Sequence, residues 1–138
     1  MKDKTYRFVL LVLAAPHSKQ SAYSAFRFAE SLLTLGHHLE CVFFYGEGVI
    51  VGNPLLSPPS DEYNLHQLWQ NLAHVYSVPL LLCVTEAMRH GLVNEPELEA
   101  SLLENPSISP TSSSFLLAGL GQFFATLHNA ERLVIFGN

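Results

Sequence analysis

Short apolar runs alternating with segments of helical period predict a three-layer α/β/α fold on a mainly parallel, doubly wound sheet of about four to five strands. Two observations carry this. Tyr6–Ala15, Leu39–Tyr45, Leu80–Val84 and Leu133–Phe136 are apolar runs with few polar breaks, the pattern of strands covered on both faces. Between them, apolar residues return every three or four positions, as along one face of a helix. A chain of 138 residues that is 49% hydrophobic suits one domain, residues 1–138, around a single core.

Tyr6–Ala15 opens the chain as a strand rich in Phe, Val and Leu, and Pro16-His17-Ser18 turns out of it. From Ser21 to Leu35, Ala22, Phe26, Ala29 and Leu33 fall on one helical face, and Gly36 ends the helix as a C-cap. Leu39–Tyr45 is the second strand, followed by a flexible turn at Gly46-Glu47-Gly48 and an irregular stretch through Pro54, Pro58 and Pro59. Ser60 is positioned as an N-cap with Asp61 and Glu62 in the first turn, and Leu65, Leu68, Trp69, Leu72 and Tyr76 form the clearest amphipathic stripe in the chain. Pro79 ends that helix, Leu80–Val84 is the third strand, and a short helix follows that closes at Gly91. Residues 94–114 read as a loop with a helical turn or two around Glu97–Leu103. Phe115–Ala130 reads as the last helix, with Leu116, Leu120, Phe123 and Leu127 on one face, and Gly119 and Gly121 in it suggest a close backbone approach. Leu133–Phe136 is the terminal strand. A flavodoxin-like strand order, 2-1-3 and onwards, puts the switch point between strands one and three. Cys83 then lies beside the turn that carries His17 and Ser18.

Charge and cysteine usage exclude several classes. The net charge is −5 with only 7 Lys and Arg, which argues against gripping nucleic acid through its phosphates. Charged residues make up 14% of the chain, against about 25% in an average globular domain, so part of the surface is expected to be covered by other subunits. The two cysteines, Cys41 and Cys83, sit in different apolar runs with no CxxC pair, which suits a reducing compartment. Residues 1–16, charged before an apolar stretch and ending at Ala14-Ala15, resemble a signal peptide with a short h-region, but Phe8–Leu13 also reads as a central strand; a cytoplasmic location is expected, and no apolar run reaches the ~18 residues of a membrane span.

The stretch with chemical content is Pro79–Val93, PLLLCVTEAMRHGLV, where a buried strand delivers Cys83 to the start of a short helix. There the following backbone N–H groups could stabilise a thiolate, so Cys83 reads either as a reactive thiol or as a structural core cysteine. Arg89 and His90 would add positive potential, Glu86 would oppose it, and Thr85 lies in the first turn. His17 and Ser18 complete the candidate set through the assumed strand order. Cys41, in mid-strand, reads as a core residue. The 7 histidines show no HExxH or paired Cys/His spacing, so no metal or other cofactor is expected. His66 and His74 are placed on the solvated side of the Trp69 helix, and His128 near a helix C-terminus. Gly46–Gly52 departs from phosphate-loop spacings, and no GxSxG elbow is present.

Four collinear segments, GHHLECVFFYGEGV (Gly36–Val49), SDEYNLHQLWQNL (Ser60–Leu72), LLCVTEAMRHGLV (Leu81–Val93) and FLLAGLGQF (Phe115–Phe123), resemble the DsrE/DsrF family of sulfur-relay proteins, most closely its TusD and DsrE branch. The resemblance spans nearly the whole chain. It implies that Cys83 carries sulfur as a persulfide, that the chain assembles with TusB-like and TusC-like subunits into a heterohexamer or with its own copies, and that sulfur passes from a TusA-like donor to a TusE-like acceptor. The pathway implied is thiolation of the tRNA wobble uridine, or sulfur oxidation. The alternatives are a structural subunit of such a complex with an inert Cys83, or a small-ligand module using Gly46–Gly52. The serine- and proline-containing segment before Phe115 and the histidine at position 90 depart from the family pattern.

Overall fold

The computed structural model describes residues 4–92 and 114–138. Its elements are β1 (Arg7–Val12), α1 (Gln20–Thr34), β2 (His38–Phe44), a 3-10 helix (Gly46–Gly52), α2 (Leu65–Tyr76), β3 (Leu80–Cys83), α3 (Val84–Arg89), β4 (Phe115–Ala118), α4 (Leu120–Leu127) and β5 (Arg132–Phe136). The helical turns expected around 97–103 lie outside the described residues.

All five strands join one sheet, and every pairing is parallel. The order is β4-β3-β2-β1-β5, not the 2-1-3 arrangement expected. The strand that takes the middle is buried throughout its carboxyl half, at Cys41, Val42, Phe43 and Phe44. The chain therefore steps from β1 through β4 in one direction and returns to place β5 against the far side of β1. This moves the switch point to the β1/β5 boundary and inserts β2 between β1 and β3.

Aromatic contacts define the layers. Phe26 of α1 and Phe44 of β2 both meet Trp69 of α2 edge-on, with centroids 5.4 and 5.5 Å apart, which sets α1 and α2 on one face. Phe43, on the opposite side of β2, packs at 4.6 Å against Phe123 of α4. Helix α1 closes as expected at Gly36 (φ 90°): the Gly36 and His37 amides donate to the Leu33 and Leu32 carbonyls, the two bonds of a Schellman motif.

Three local expectations are corrected. The apolar residues Phe115–Ala118 form an edge strand on β3 instead of the first turn of the last helix, because an apolar run of four has no period of its own and the sheet had an open slot. Gly119 is the N-cap of α4, and neither Gly119 nor Gly121 has a neighbour that a methyl group would strike, so no close backbone approach explains them. Helix α2 is capped by Asn64, whose Oδ1 accepts the Gln67 amide at 3.2 Å, four residues later than the Ser60 cap expected. Among the described residues, no helix is long and apolar enough to cross a membrane.

Candidate functional site

Cys83 is the last residue of β3 and the N-cap of α3 (φ −60°, ψ 121°). Strand β3 is buried at all four positions, and its register pairs Cys83 with Ala118 of β4. The chain leaves the sheet there because Thr85 and Glu86 break the apolar run and supply a polar first helical turn. It stops at Gly91 (φ 72°), where the Gly91 and Leu92 amides donate to the Met88 and Ala87 carbonyls in a second Schellman motif. Cys83 is a free thiol and is 3% exposed.

The charges on α3 are paired with each other. The Glu86 side chain is only 8% exposed, and its Oε1 accepts from Arg89 Nη1 at 2.8 Å, an i,i+3 ion pair whose arginine end reaches solvent. His90 Nδ1 lies 2.9 Å from the Glu86 carbonyl oxygen. A carbonyl oxygen can only accept, so Nδ1 carries the proton and the ring folds back on the helix end. Glu86 and Arg89, set against each other in the sequence, thus largely cancel. Thr85 is exposed beside them.

Thr85, Glu86, Arg89 and His90 are therefore gathered on the helix that Cys83 caps. His17 and Ser18 are not: they are exposed in the turn after β1, and with β2 between, the axes of β1 and β3 are about 10 Å apart. His17 instead lines a cleft of about 200 Å³ with Leu56, Pro58, Pro59 and Tyr63. The other cysteine lies on β2, toward the opposite end of the sheet. Cys41 is 1% exposed, and burial first, with the Glu40 carboxylate second, pushes its pKa up to about 12, so it stays a neutral thiol at physiological pH.

Gly46–Gly52 is packed, not open. A side chain at Gly48 would strike the Val12 carbonyl, and one at Gly52 would strike the Leu82 side chain. Both glycines let the 3-10 helix lie against the carboxyl ends of β1 and β3, which removes the reason to read the segment as a ligand loop. The segment also packs on α2 and α3. His66 corrects a further expectation: it is 7% exposed, its Nδ1 sits 2.7 Å from the Val51 carbonyl oxygen, and its ring stacks on Phe115 at 5.1 Å. The available sequence signal was its i,i+3 relation to Trp69, which sets it about 60° from that side chain, at the margin of the apolar stripe. His74 is exposed as expected, and His128 is exposed at the C-cap of α4. No group of three or more His, Cys, Asp or Glu among the described residues could hold a metal ion.

A model of the DsrE/DsrF-like family matches residues 7–136. The chain is similar to the Sulfurtransferase TusD homolog of Pasteurella multocida (strain Pm70), 44% identical over 128 residues, 93% of this chain and 98% of that protein. It is 39% identical over 130 residues to Sulfurtransferase TusD of Klebsiella pneumoniae (strain 342), covering 94% of this chain and 99% of the relative. The crystal structure of the YchN protein from E. coli superimposes with a TM-score of 0.75 at 20% identity, over 96% of this chain and 100% of that one, and so shares its fold. With nearly its full length matched by the family model and by these relatives, the chain belongs to the DsrE/DsrF-like family.

Proposed function

We propose that this chain is a sulfurtransferase that carries sulfane sulfur on Cys83 within a protein relay, as the TusD-named relatives suggest. The observation that carries the reading is the position of Cys83, a free thiol at the end of an inner parallel strand and at the first turn of α3. The Cys83 thiolate attacks the outer sulfur of a donor persulfide; the donor S–S bond breaks, and the donor leaves as a thiolate. Cys83 then holds Cys–S–SH, and an acceptor thiolate takes that outer sulfur and releases the Cys83 thiolate. Each step is redox-neutral and needs no metal or organic cofactor. The net charge of −5 suits a relay between proteins better than contact with RNA.

Within such a relay, TusB-like and TusC-like subunits would be its neighbours, a TusA-like protein its donor and a TusE-like protein its acceptor. Thiolation of the tRNA wobble uridine would be the downstream use, with sulfur oxidation the other pathway of the family. In a reconstituted relay, Cys83→Ala is expected to abolish delivery of donor sulfur to the acceptor, while Cys41→Ala leaves it near the unsubstituted rate. Undiminished delivery by Cys83→Ala would overturn the reading. The burial of Cys83 favours one competing reading, a structural subunit with an inert thiol. Native alkylation of Cys83 as slow as that of Cys41 in the assembled relay would mark that case.

A further inference from the structure

The strand order leaves β4 and β5 at the two edges of the sheet, and the two are finished differently. Strand β4 is short, with Phe115, Leu117 and Ala118 buried. Strand β5 pairs with β1 from Arg132 to Phe136 without a register shift, and Leu133 and Ile135 are 43% and 54% exposed. No proline, bulge or lysine interrupts it, so the usual devices that blunt a sheet edge are missing from this one. Among the described residues, no strand pairs with its outer side.

Side chains and backbone single out the same two residues. The register aligns Leu133 with Val9 and Ile135 with Leu11, which in turn align with Cys41 and Phe43 of β2. Leu133 and Ile135 therefore stand on the Phe43 face of the sheet, away from α1, whose Phe28 meets Phe136 at 5.7 Å. The Leu13 amide donates to the Phe136 carbonyl at 2.9 Å, which turns Phe136 toward β1. Alternate residues of a strand bond to the same neighbour, so Val134 and Arg132 also face β1, and the N–H and C=O of Leu133 and Ile135 point to the open edge. The edge is closed at both ends: the Glu131 amide donates to the Arg7 carbonyl at 2.8 Å, and the Gly137 carbonyl accepts from Ser21.

We propose that β5 pairs antiparallel with β5 of a second copy of this chain, about a two-fold axis at Val134, joining the two sheets into one. In that register Leu133 of each copy lies opposite Ile135 of the other as a hydrogen-bonded pair, and Val134 faces itself as a non-hydrogen-bonded pair. Sliding one copy by two residues would set Ile135 against Glu131, whose amide is taken by Arg7, or Leu133 against Gly137, whose carbonyl is taken by Ser21. The register centred on Val134 thus satisfies the open groups of both copies, and because it is symmetric the strand is complementary to itself. Arg132 falls opposite Phe136, so no like charges meet directly. On the α1 face a groove of about 470 Å³, lined by Ser24, Phe28, Ser31 and Phe136, opens beside the edge to receive it. Arg27, on the same groove, is paired with Glu30 at 3.5 Å. On the other face the four exposed Leu133 and Ile135 side chains cover one another. Strands β1 and β2 separate β5 from β3, so each Cys83 junction stays outside the pairing, which does not rest on the chemistry of that thiol.

Light scattering of the purified chain at high micromolar concentration is expected to give twice the 15.3 kDa of one chain, and Leu133→Lys with Ile135→Lys to return the mass to that of one. Val134→Cys tests the register. Its introduced thiols face each other at about 4.5 Å between Cα atoms, within disulfide reach, whereas those of Leu133→Cys lie on a diagonal at about 7–8 Å, beyond it. Copper–phenanthroline oxidation is therefore expected to link Val134→Cys into a dimer and to leave Leu133→Cys unlinked, with peptide mass analysis separating these thiols from Cys41 and Cys83. A monomeric mass for the unsubstituted chain, a dimer indifferent to the lysines, or equal linking of the two cysteine variants would each overturn the pairing. So would a β5 edge that pairs only with a different subunit. Should the lysine variant fail to fold, Ile135→Pro decides, because it removes an outward amide and none of the bonds to β1. It is expected to give a monomer, and a retained dimer would overturn the proposal. A chain that pairs in this way yet takes up no sulfur on Cys83 would refute the sulfurtransferase reading and leave the pairing standing.

Discussion

Two buried cysteines on one sheet occupy different positions, one in mid-strand and one at a strand end. Cys41 sits in mid-strand, where nothing nearby compensates a negative charge, and burial with the Glu40 carboxylate pushes its pKa from 9.0 up to about 12. Between these values the unfolded chain releases the thiol proton while the folded chain keeps it. Stability from this group is therefore constant below about pH 9 and falls as pH rises toward 12, by at most about 1.4 kcal/mol per pH unit. Urea unfolding at pH 8 and pH 10.5 should show a steeper loss for the unsubstituted chain than for Cys41→Ala; parallel pH profiles would contradict the assignment. Cys83, by contrast, ends its strand and caps a helix, and that difference was legible in the sequence: Val-Thr-Glu follows Cys83, whereas Val-Phe-Phe follows Cys41. What the sequence did not disclose was that Glu86 and Arg89 spend their charges on each other at 2.8 Å, since an i,i+3 spacing permits that pair without requiring it.

At the scale of elements, the glycines separate packing from tolerance. Gly48 faces backbone and Gly52 faces the Leu82 side chain, whereas Gly121 in α4 faces open space. Denaturant titration is expected to place Gly48→Ala about 2–3 kcal/mol below the parent and Gly52→Ala about 1–2 kcal/mol below, since a side chain yields more readily than a strand end. Gly121→Ala is expected to raise stability, by up to about 1 kcal/mol, through helix propensity alone. A tolerated Gly48→Ala, or a destabilising Gly121→Ala, would contradict these environments. Most elements were readable from period and punctuation: the strands before Gly46 and Thr85, the α1 stripe, and the stops at Gly36 and Gly91. Phe115–Ala118 was not, because four apolar residues bounded by serine and glycine fit a buried strand and a helical turn equally well, and only the free edge of β3 decides. His66 was misplaced for a related reason. A residue at the margin of an apolar stripe goes in or out according to whether a buried acceptor waits for it, and the Val51 carbonyl comes from a segment 15 residues away.

For the whole molecule, the alternation of strands and helices gave the class, while the strand order was hidden because each parallel step looks the same in sequence whichever side of the sheet it joins. That order leaves His17 and Ser18 at the β1 end and Cys83 beyond β2, so the β1 turn and the Cys83 junction do not form one site. The surface also retains apolar residues that the low charge foreshadowed, among them Leu133 and Ile135 on β5, 43% and 54% exposed. Copurification with TusB-like and TusC-like proteins is expected to give a complex well above the 15.3 kDa of one chain, and a strictly monomeric mass in their presence would contradict the relay-subunit reading. The central claim is chemical, and intact-mass spectrometry after incubation with a persulfide donor tests it most directly. The account predicts the gain of one sulfur atom, removable by a thiol reductant, present in Cys41→Ala and absent in Cys83→Ala; a chain that gains no sulfur, or gains it equally in Cys83→Ala, would contradict it.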